Sequence, residues 1–281
     1  MDKAKQLIAL GQSMLKDEKI PNYKLDARIL LSNVLNLENN YLFSDINVSE
    51  PDKETYLNMI KDRVDGKPVS KIISTRSFWN YEFYINSSTL DPRPDSEVLV
   101  ETALEACELL NKNDVKILEL GVGSGCILLS IIEEVSGAEG WGIDIDYEAV
   151  KVAKINSINM KISEKVNFLV SDWTKSIQGK FDIIISNPPY IPTEDIKNLQ
   201  KEVKEYDPFI ALNGGEDGLR AYKSIIPKIR NVMNKNGKIF FEIGKGQENC
   251  ITKIAIEHGL LPQEYKKDLS GVIRVLTFII K

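Results

Sequence analysis

The chain has 281 residues, 43% of them hydrophobic and 27% charged, with only 11 prolines and 17 glycines, which excludes disordered, collagen-like and low-complexity classes and leaves room for one large domain and one small one. A net charge of −5 and a pI near 5.3 argue against a general duplex DNA binder, because nonspecific affinity comes from a basic surface that neutralises phosphates. No apolar run approaches the roughly 18 residues of a membrane span, and the start, MDKAKQLIALGQSMLKDEK, shows no cleavable signal pattern, so a cytoplasmic protein is expected.

Residues 1–70 carry helical periodicity in Leu7, Leu10 and Met14, then in Leu25, Ile29, Leu30 and Val34, then in Tyr56, Leu57, Ile60 and Val64. Pro21 and Pro51 lie near helix starts, where a missing N–H costs nothing. A small helical bundle is predicted. Residues 71–90 open with KIISTRSFWNYEFYINS, rich in β-branched and aromatic residues around Asn80, which predicts a hairpin linking two parts of the molecule. TLDPRPDSE holds two prolines within three residues and should be extended, so the main domain is expected over 91–281.

From 115 onward, short apolar runs alternate with helical patterns: VKILEL (115–120), a helix over 124–135, GWGID (140–144), a helix over 147–159, VNFLV (166–170) and FDIIIS (181–186). A helix over 217–233 with Pro227 inside it, GKIFFEIG (237–244) and a helix over 247–258 continue the alternation. This is the pattern of a mostly parallel sheet covered by helices on both faces, an α/β fold. The last residues read as two strands around Ser270 and Gly271, an antiparallel hairpin at the sheet edge.

Cys107, Cys126 and Cys250 match no metal-ligand spacing and lie in apolar segments, so buried reduced thiols are expected. His258 is the only histidine and precedes Gly259 at a predicted helix end, a capping position, which excludes a histidine triad and an HExxH zinc site.

Four motifs carry chemistry. In LELGVGSGC (118–126), Gly121, Gly123 and Gly125 let the backbone turn tightly and approach a ligand, and the following helix offers free N–H groups. No Lys-Ser/Thr follows, so it is not a P-loop. Asp144 ends the second strand about 20 residues on, where an acid accepts the ribose hydroxyls of a nucleoside, and Asp146 is free to cap the next helix. Asp172 and Trp173 follow the third strand, offering an acceptor for adenine's amine and a face for its ring. Ser186-Asn187-Pro188-Pro189-Tyr190 ends the fourth strand, where the Asn187 side-chain oxygen and the Pro188 carbonyl form two fixed acceptors for a planar NH₂ group, with Tyr190 to pack on it. The electrophile that suits such a nitrogen beside a nucleoside site is the methyl group of S-adenosylmethionine.

In this order the motifs resemble those of class I S-adenosylmethionine methyltransferases, and Asn-Pro-Pro-Tyr narrows the likeness to enzymes that alkylate amide or exocyclic amino nitrogens. GKPVSKIISTRSFW (66–79), PRPDSEVLVE (92–101), SDW and SNPPYI together with the helical N-terminal region resemble the PrmC/HemK family of peptide chain release factor glutamine N(5)-methyltransferases. The resemblance implies a Rossmann-like sheet, a helical domain that recognises substrate, S-adenosylmethionine as cofactor with S-adenosylhomocysteine as product, and the glutamine of the Gly-Gly-Gln motif in bacterial class 1 release factors as substrate. It implies no metal, no membrane and no nucleic acid partner, and a monomer. By family pattern, Glu119, Gly121, Val122, Gly123, Ser124, Gly125, Asp144, Asp172, Trp173 and Asn187 meet the cofactor. Asn187, Pro188, Pro189, Tyr190 and Arg93 meet the glutamine, with Asn187, Pro188 and Tyr190 carrying the catalysis. Asp91 departs from the apolar residue usual before PRP, which bears on the packing of that loop, and Glu242 in FFEIG matches the family with its role open. The alternatives are an adenine or guanine exocyclic-amine methyltransferase acting on RNA or DNA, and a nucleotide-binding regulatory module, for which Asn-Pro-Pro-Tyr would have no purpose.

Overall fold

The computed structural model describes residues 2–37, 46–110 and 112–280. Two compact units emerge, residues 1–75 with 200–206 and residues 76–199 with 207–281. In the first, β1 (Asp2–Lys3) leads to α1 (Ala4–Asp17), α2 (Tyr23–Leu35), β2 (Asn47–Val48), α3 (Glu50–Val64) and α4 (Val69–Ile73), and β1 pairs with β2 antiparallel. Leu7, Leu15, Leu30, Leu31, Tyr56 and Ile60 share one buried core, while Leu10 and Leu25 of the periodic set stay exposed. Ser49 caps α3 by accepting the Asp52 N–H, with Pro51 in the first turn. Arg63, buried, donates from Nε to Asp26 Oδ2 at 2.8 Å and pairs through Nη1 with Glu202 Oε1 at 2.7 Å, which brings residues 200–206 into this unit. No local pattern announces that return.

The second unit begins within β3 (Thr75–Phe78), at Arg76, and β3 pairs with β4 (Tyr81–Tyr84); then come α5 (Glu97–Leu110), β5 (Lys116–Leu120), α6 (Cys126–Glu134), β6 (Glu139–Asp144), α7 (Tyr147–Asn159), β7 (Val166–Val170) and β8 (Phe181–Ser186). After α8 (Lys201–Tyr206), which belongs to the first unit, come α9 (Phe209–Leu212), α10 (Arg220–Ile225), β9 (Met233–Glu242), α11 (Glu248–Glu257), β10 (Leu260–Lys267) and β11 (Ile273–Ile280). The sheet order is β10-β11-β9-β8-β5-β6-β7, parallel from β9 to β7, with β11 antiparallel to both β9 and β10.

Strand parity sorts the core into two layers. Ile117, Ile183, Ile185 and Phe240 face one layer with Leu99, Val100, Leu128 and Ile131, and Leu118, Leu120, Ile184, Ile239 and Phe241 face the other with Tyr222, Ile225 and Ile251. Every residue of β8 is buried, as a strand covered on both faces must be. Each such isoleucine contributes about 1.5–3 kcal/mol of burial. The chain runs β5, β6, β7 outward and then returns to β8 on the other side of β5, so the crevice at the C-terminal ends of β5 and β8 is the switch point where ligands bind in such sheets.

Several expectations are corrected. Residues 71–73, read as part of a hairpin segment, are helical in α4. Pro227 cuts the helix predicted over 217–233 to α10 followed by a 3₁₀ turn at Ile226–Asn231, since proline cannot donate within an α-helix. Cys107 and Cys126 are buried, with burial pushing the Cys107 thiol up to about 12, but Cys250 is exposed on α11. Asp91 is buried without an apolar neighbour's role: its Oδ1 lies 3.4 Å from Arg76 Nε, and its N–H donates to Asp207 Oδ1 at 3.0 Å. His258 stands at the end of α11 with its ring Nδ1 2.9 Å from the Ile254 carbonyl and Gly259 at positive φ, as a capping residue should.

At the opposite end of the sheet Asp182 accepts from Lys112 Nζ at 2.8 Å, the Lys116 N–H at 3.0 Å and Asn234 Nδ2 at 2.7 Å. Burial alone would raise its carboxyl, but these donors outweigh it and hold the carboxyl below its ordinary range. Asp182→Ala is expected to cost about 1–3 kcal/mol at neutral pH, because it orphans a backbone N–H and an amide, read as a lower urea midpoint at unchanged slope. A carboxyl lowered in the native state stabilises above its unfolded pKa and ceases to do so as pH falls through the native value. The part of the gap that depends on ionisation should therefore begin to shrink as pH falls below about 4, while the cost of the unpaired donors remains.

Candidate active site

A cavity of about 380 Å³ in the second unit opens at the C-terminal ends of β5, β6, β7 and β8. Its floor is the turn after β5. Gly121 and Val122 both donate to the Ile143 carbonyl of β6 at 2.8 Å, and Gly125 donates to Val122 at 2.7 Å, curling the backbone back on itself. Gly121, Gly123 and Gly125 have φ of +80°, +53° and +80°. Around a hypothetical Cβ on Gly123 nothing lies within 4 Å, so that position is open, whereas one on Gly125 would sit 3.0 Å from Leu129 Cδ1 and 3.2 Å from Ala153 Cβ. Gly125 is therefore a packing glycine at the start of α6 and lies off the cavity wall, unlike Gly121, Val122, Gly123 and Ser124.

Asn156 on α7, fully buried, fixes this turn from behind. Its Nδ2 donates to the Ser124 carbonyl at 2.8 Å and the Tyr84 carbonyl at 2.9 Å, and its Oδ1 accepts the Tyr84 N–H at 2.8 Å. Asp144 Oδ2 accepts the Gly123 N–H at 2.9 Å and its Oδ1 the Asp146 N–H at 3.0 Å, so each oxygen keeps lone pairs for further donors. Burial raises the Asp144 carboxyl against the pull of those backbone donors. Asp146 caps α7 by accepting the Glu148 N–H at 2.8 Å. Beneath the turn, Glu119 accepts the Leu128 N–H at 3.0 Å, and burial drives its carboxyl well above the ordinary range.

Asp172, after β7, pairs with Lys175 at 2.5 Å on the exposed rim. Trp173 adopts φ of +52°, and its ring comes within 3.6 Å of where a Gly121 Cβ would stand, closing the wall beside the turn. Ser186 donates from Oγ to the Leu120 carbonyl at 2.7 Å, joining the ends of β8 and β5. Asn187 then turns its Nδ2 to Ser96 Oγ at 3.1 Å. Arg93 reaches the wall while paired with Asp207 at 2.5 Å.

Glu119, Asp144, Asp172, Trp173, Asn187, Pro189 and Arg93 thus meet around one cavity. Pro188 and Tyr190 do not line it: Pro188 is buried, and the Tyr190 ring packs on the second core layer beside Gly244, where burial raises its phenol. Sequence reasoning missed Ser96, Ile210, Ala211 and Arg220, all on the wall. Arg220 donates to the Asn213 carbonyl at 2.7 Å. Ser96 follows the PRP segment closely and was the one with a signal nearby. Glu242 ends β9 at 2% exposure. Burial lifts its carboxyl to about 7, opposed by Ser96, Arg274 and Asn187.

The chain is similar to known proteins along nearly its whole length. A family model described as the PrmC N-terminal domain matches residues 6–73, and one described as a methyltransferase domain matches residues 111–267. The release factor glutamine methyltransferase of Rhodospirillum rubrum is 40% identical over 273 residues, 96% of this chain and 83% of that protein. That of Clostridium botulinum is 38% identical over 277 residues, 97% of each chain. Among solved structures, a ribosomal protein L11 methylase from Lactobacillus delbrueckii subsp. bulgaricus is similar with a TM-score of 0.51 at 17% identity, covering 70% of this chain and 84% of that one. The hMettl16 catalytic domain, in complex with a MAT2A 3'UTR hairpin, is similar with a TM-score of 0.55 at 13% identity, covering 83% of each. These two bear on the fold alone, that of class I methyltransferases. With the matching domain pair in this order and such identity along nearly its whole length, the chain belongs to the release factor glutamine methyltransferase family.

Proposed function

We propose that the chain transfers a methyl group from S-adenosylmethionine to the side-chain amide nitrogen of the glutamine in the Gly-Gly-Gln motif of bacterial class 1 release factors. The single observation that carries the reading is Asn187: it sits on the cavity wall at the end of β8 with its NH₂ tied back to Ser96, which leaves Oδ1 as an acceptor for an incoming amide. The names of the relatives supply the substrate class.

The residues present fit the cofactor. About 380 Å³ falls within the usual range for such sites, roughly 300–1,000 Å³. The open position at Gly123 lets a ligand lie against the backbone, Asp144 keeps lone pairs for ribose hydroxyls, and Trp173 offers an aromatic face to adenine with Asp172 as an acceptor beside it. Glu119 braces the turn through α6. When bound, S-adenosylmethionine supplies an electrophilic methyl group on a positively charged sulfur.

What the chain supplies is orientation. An amide nitrogen is a weak nucleophile, so holding its NH₂ group on the Asn187 oxygen aligns it and stabilises the positive charge that develops on nitrogen as it is alkylated, while Pro188, buried behind the wall, stiffens the turn that carries Asn187. The Asn187 oxygen draws the N–H protons toward itself and so leaves electron density on the nitrogen, and neither proline has an N–H to compete. The amide N–H is too weak an acid to be deprotonated beforehand, so its proton leaves during or after transfer, once alkylation has placed positive charge on the nitrogen. Pro189 and Arg93 complete the substrate side of the wall, and Tyr190 buttresses the turn from the core rather than by stacking.

The test is transfer of labelled methyl from S-adenosylmethionine to an unmodified bacterial release factor, beside its Gln-to-Ala variant and total tRNA, rRNA and DNA. Label on the factor that vanishes in the variant is the expected result, and label on nucleic acid alone overturns the substrate. Asn187→Ala should lower kcat by about 100-fold or more, while the cofactor Kd measured by calorimetry changes far less; equal losses in both would remove its orienting role. Gly123→Ala should do the reverse, weakening cofactor binding about tenfold through positive-φ strain and a filled cradle, with kcat at saturating cofactor nearly kept.

A further inference from the structure

We propose that Glu242, acting through Ser96, is a positioning residue that fixes which way the Asn187 amide faces. The inference rests on the methyl-transfer reading and concerns the same site.

Glu242 is brought to Asn187 by the sheet. Ser186 of β8 pairs with Phe241 of β9, so the next residues along, Asn187 and Glu242, leave the two strands side by side. Glu242 is almost fully buried, and its Oε2 has no hydrogen-bond partner. The groups facing it come from several elements. Arg274 stands on β11, Asp95 and Ser96 precede α5, Asn187 and Tyr190 follow β8, Cys126 starts α6, and Tyr222 on α10 donates to the Glu242 backbone carbonyl at 2.7 Å. Arg274 is not spent on it: its Nη2 meets Asp95 Oδ2 at 2.7 Å and its Nε meets Asp268 Oδ2 at 2.9 Å. A buried acid with an open oxygen and no ion pair is costly, and such groups persist where they do a task.

The task follows from proton directions. Ser96 Oγ accepts from Asn187 Nδ2, so its one O–H is left to donate, and the Glu242 carboxylate beside it is stabilised by Ser96 first and by the Asn187 side chain to a lesser degree. The two ends of an asparagine amide have nearly the same shape, so packing alone does not choose between them. A network that terminates in a carboxylate does choose: it takes N–H and O–H groups, turns the NH₂ of Asn187 inward and leaves Oδ1 for the substrate. Protonated Glu242 becomes a donor, tolerates the flipped amide, and would present NH₂ to NH₂ in the cavity. Its carboxyl, lifted to about 7 by burial, makes that change near neutrality. The ionised form is the competent one, so activity rises with pH through that value and levels off above it.

The experiment measures kcat, KM for the release factor and the cofactor Kd from pH 5.5 to 9 for the wild type, Glu242→Gln and Ser96→Ala, with thermal melts to verify folding. Glutamine accepts either amide orientation, so Glu242→Gln should lower kcat by about 10- to 100-fold, leave KM and Kd within about threefold, and lose the acid limb seen in the wild type. Ser96→Ala removes the relay but keeps the Glu242 carboxyl, now without its main stabilising donor, and should lower kcat with the acid limb moved to higher pH, which keeps the test decisive if the Gln variant does not fold. A wild-type kcat at full pH-independent value, or variants that keep wild-type kcat, overturn the relay. If the wild type transfers nothing to the release factor, it is the reaction assignment that has failed, a result separate from either of these.

Discussion

The site depends on the pairing of β5 with β8. Both strands are buried on both faces, and their ends are joined by Ser186 donating to the Leu120 carbonyl. That one bond sets the glycine turn, which leaves β5, against the Asn187 turn, which leaves β8. Once the two strands are in register, the distance between a ligand lying on Gly123 and an amide held at Asn187 is a property of the sheet and not of either loop. Sub-ångström placement of reacting groups is what orientation-driven chemistry needs, and rigid strands supply it better than loops.

Around that axis the molecule places its costly groups. Glu119, Asp144 and Glu242 are carboxyls raised by burial, all at the C-terminal edge of the parallel strands, whereas Asp182 at the other edge is lowered by its donors. The stabilising acid and the destabilised acids lie at opposite ends of the same strands. This division is expected where one end of a sheet serves stability and the other serves chemistry.

Much of this was legible from sequence. Strand β8 was readable as FDIIIS because a doubly covered strand is a continuous apolar run, and α7 because its caps and periodicity agree; both matched residue for residue. The glycine turn, Asp144, Trp173 and Asn187 were readable because each follows a strand in a fixed order. What stayed hidden was carried by long-range contacts. Ser96 meets Asn187 across 91 residues of chain, Asn156 meets Tyr84 across 72, and Asp91 is offset by Arg76 and tied to Asp207 across 116. None leaves a local pattern. The exposure of Cys250 and the burial of Pro188 were missed for a related reason, since the face an element presents is decided by its neighbours.

Asn156 has an implication for how such a chain can change over time. All three of its hydrogen bonds go to main-chain atoms, two at Tyr84 and one at Ser124. A contact made to backbone is indifferent to the side chains around it. The hairpin and the glycine turn can therefore drift in sequence independently of one another and still be registered by this single amide. The burden of invariance falls on a helix residue that touches no ligand, and a survey of natural variation that weighed only the cavity wall would overlook it.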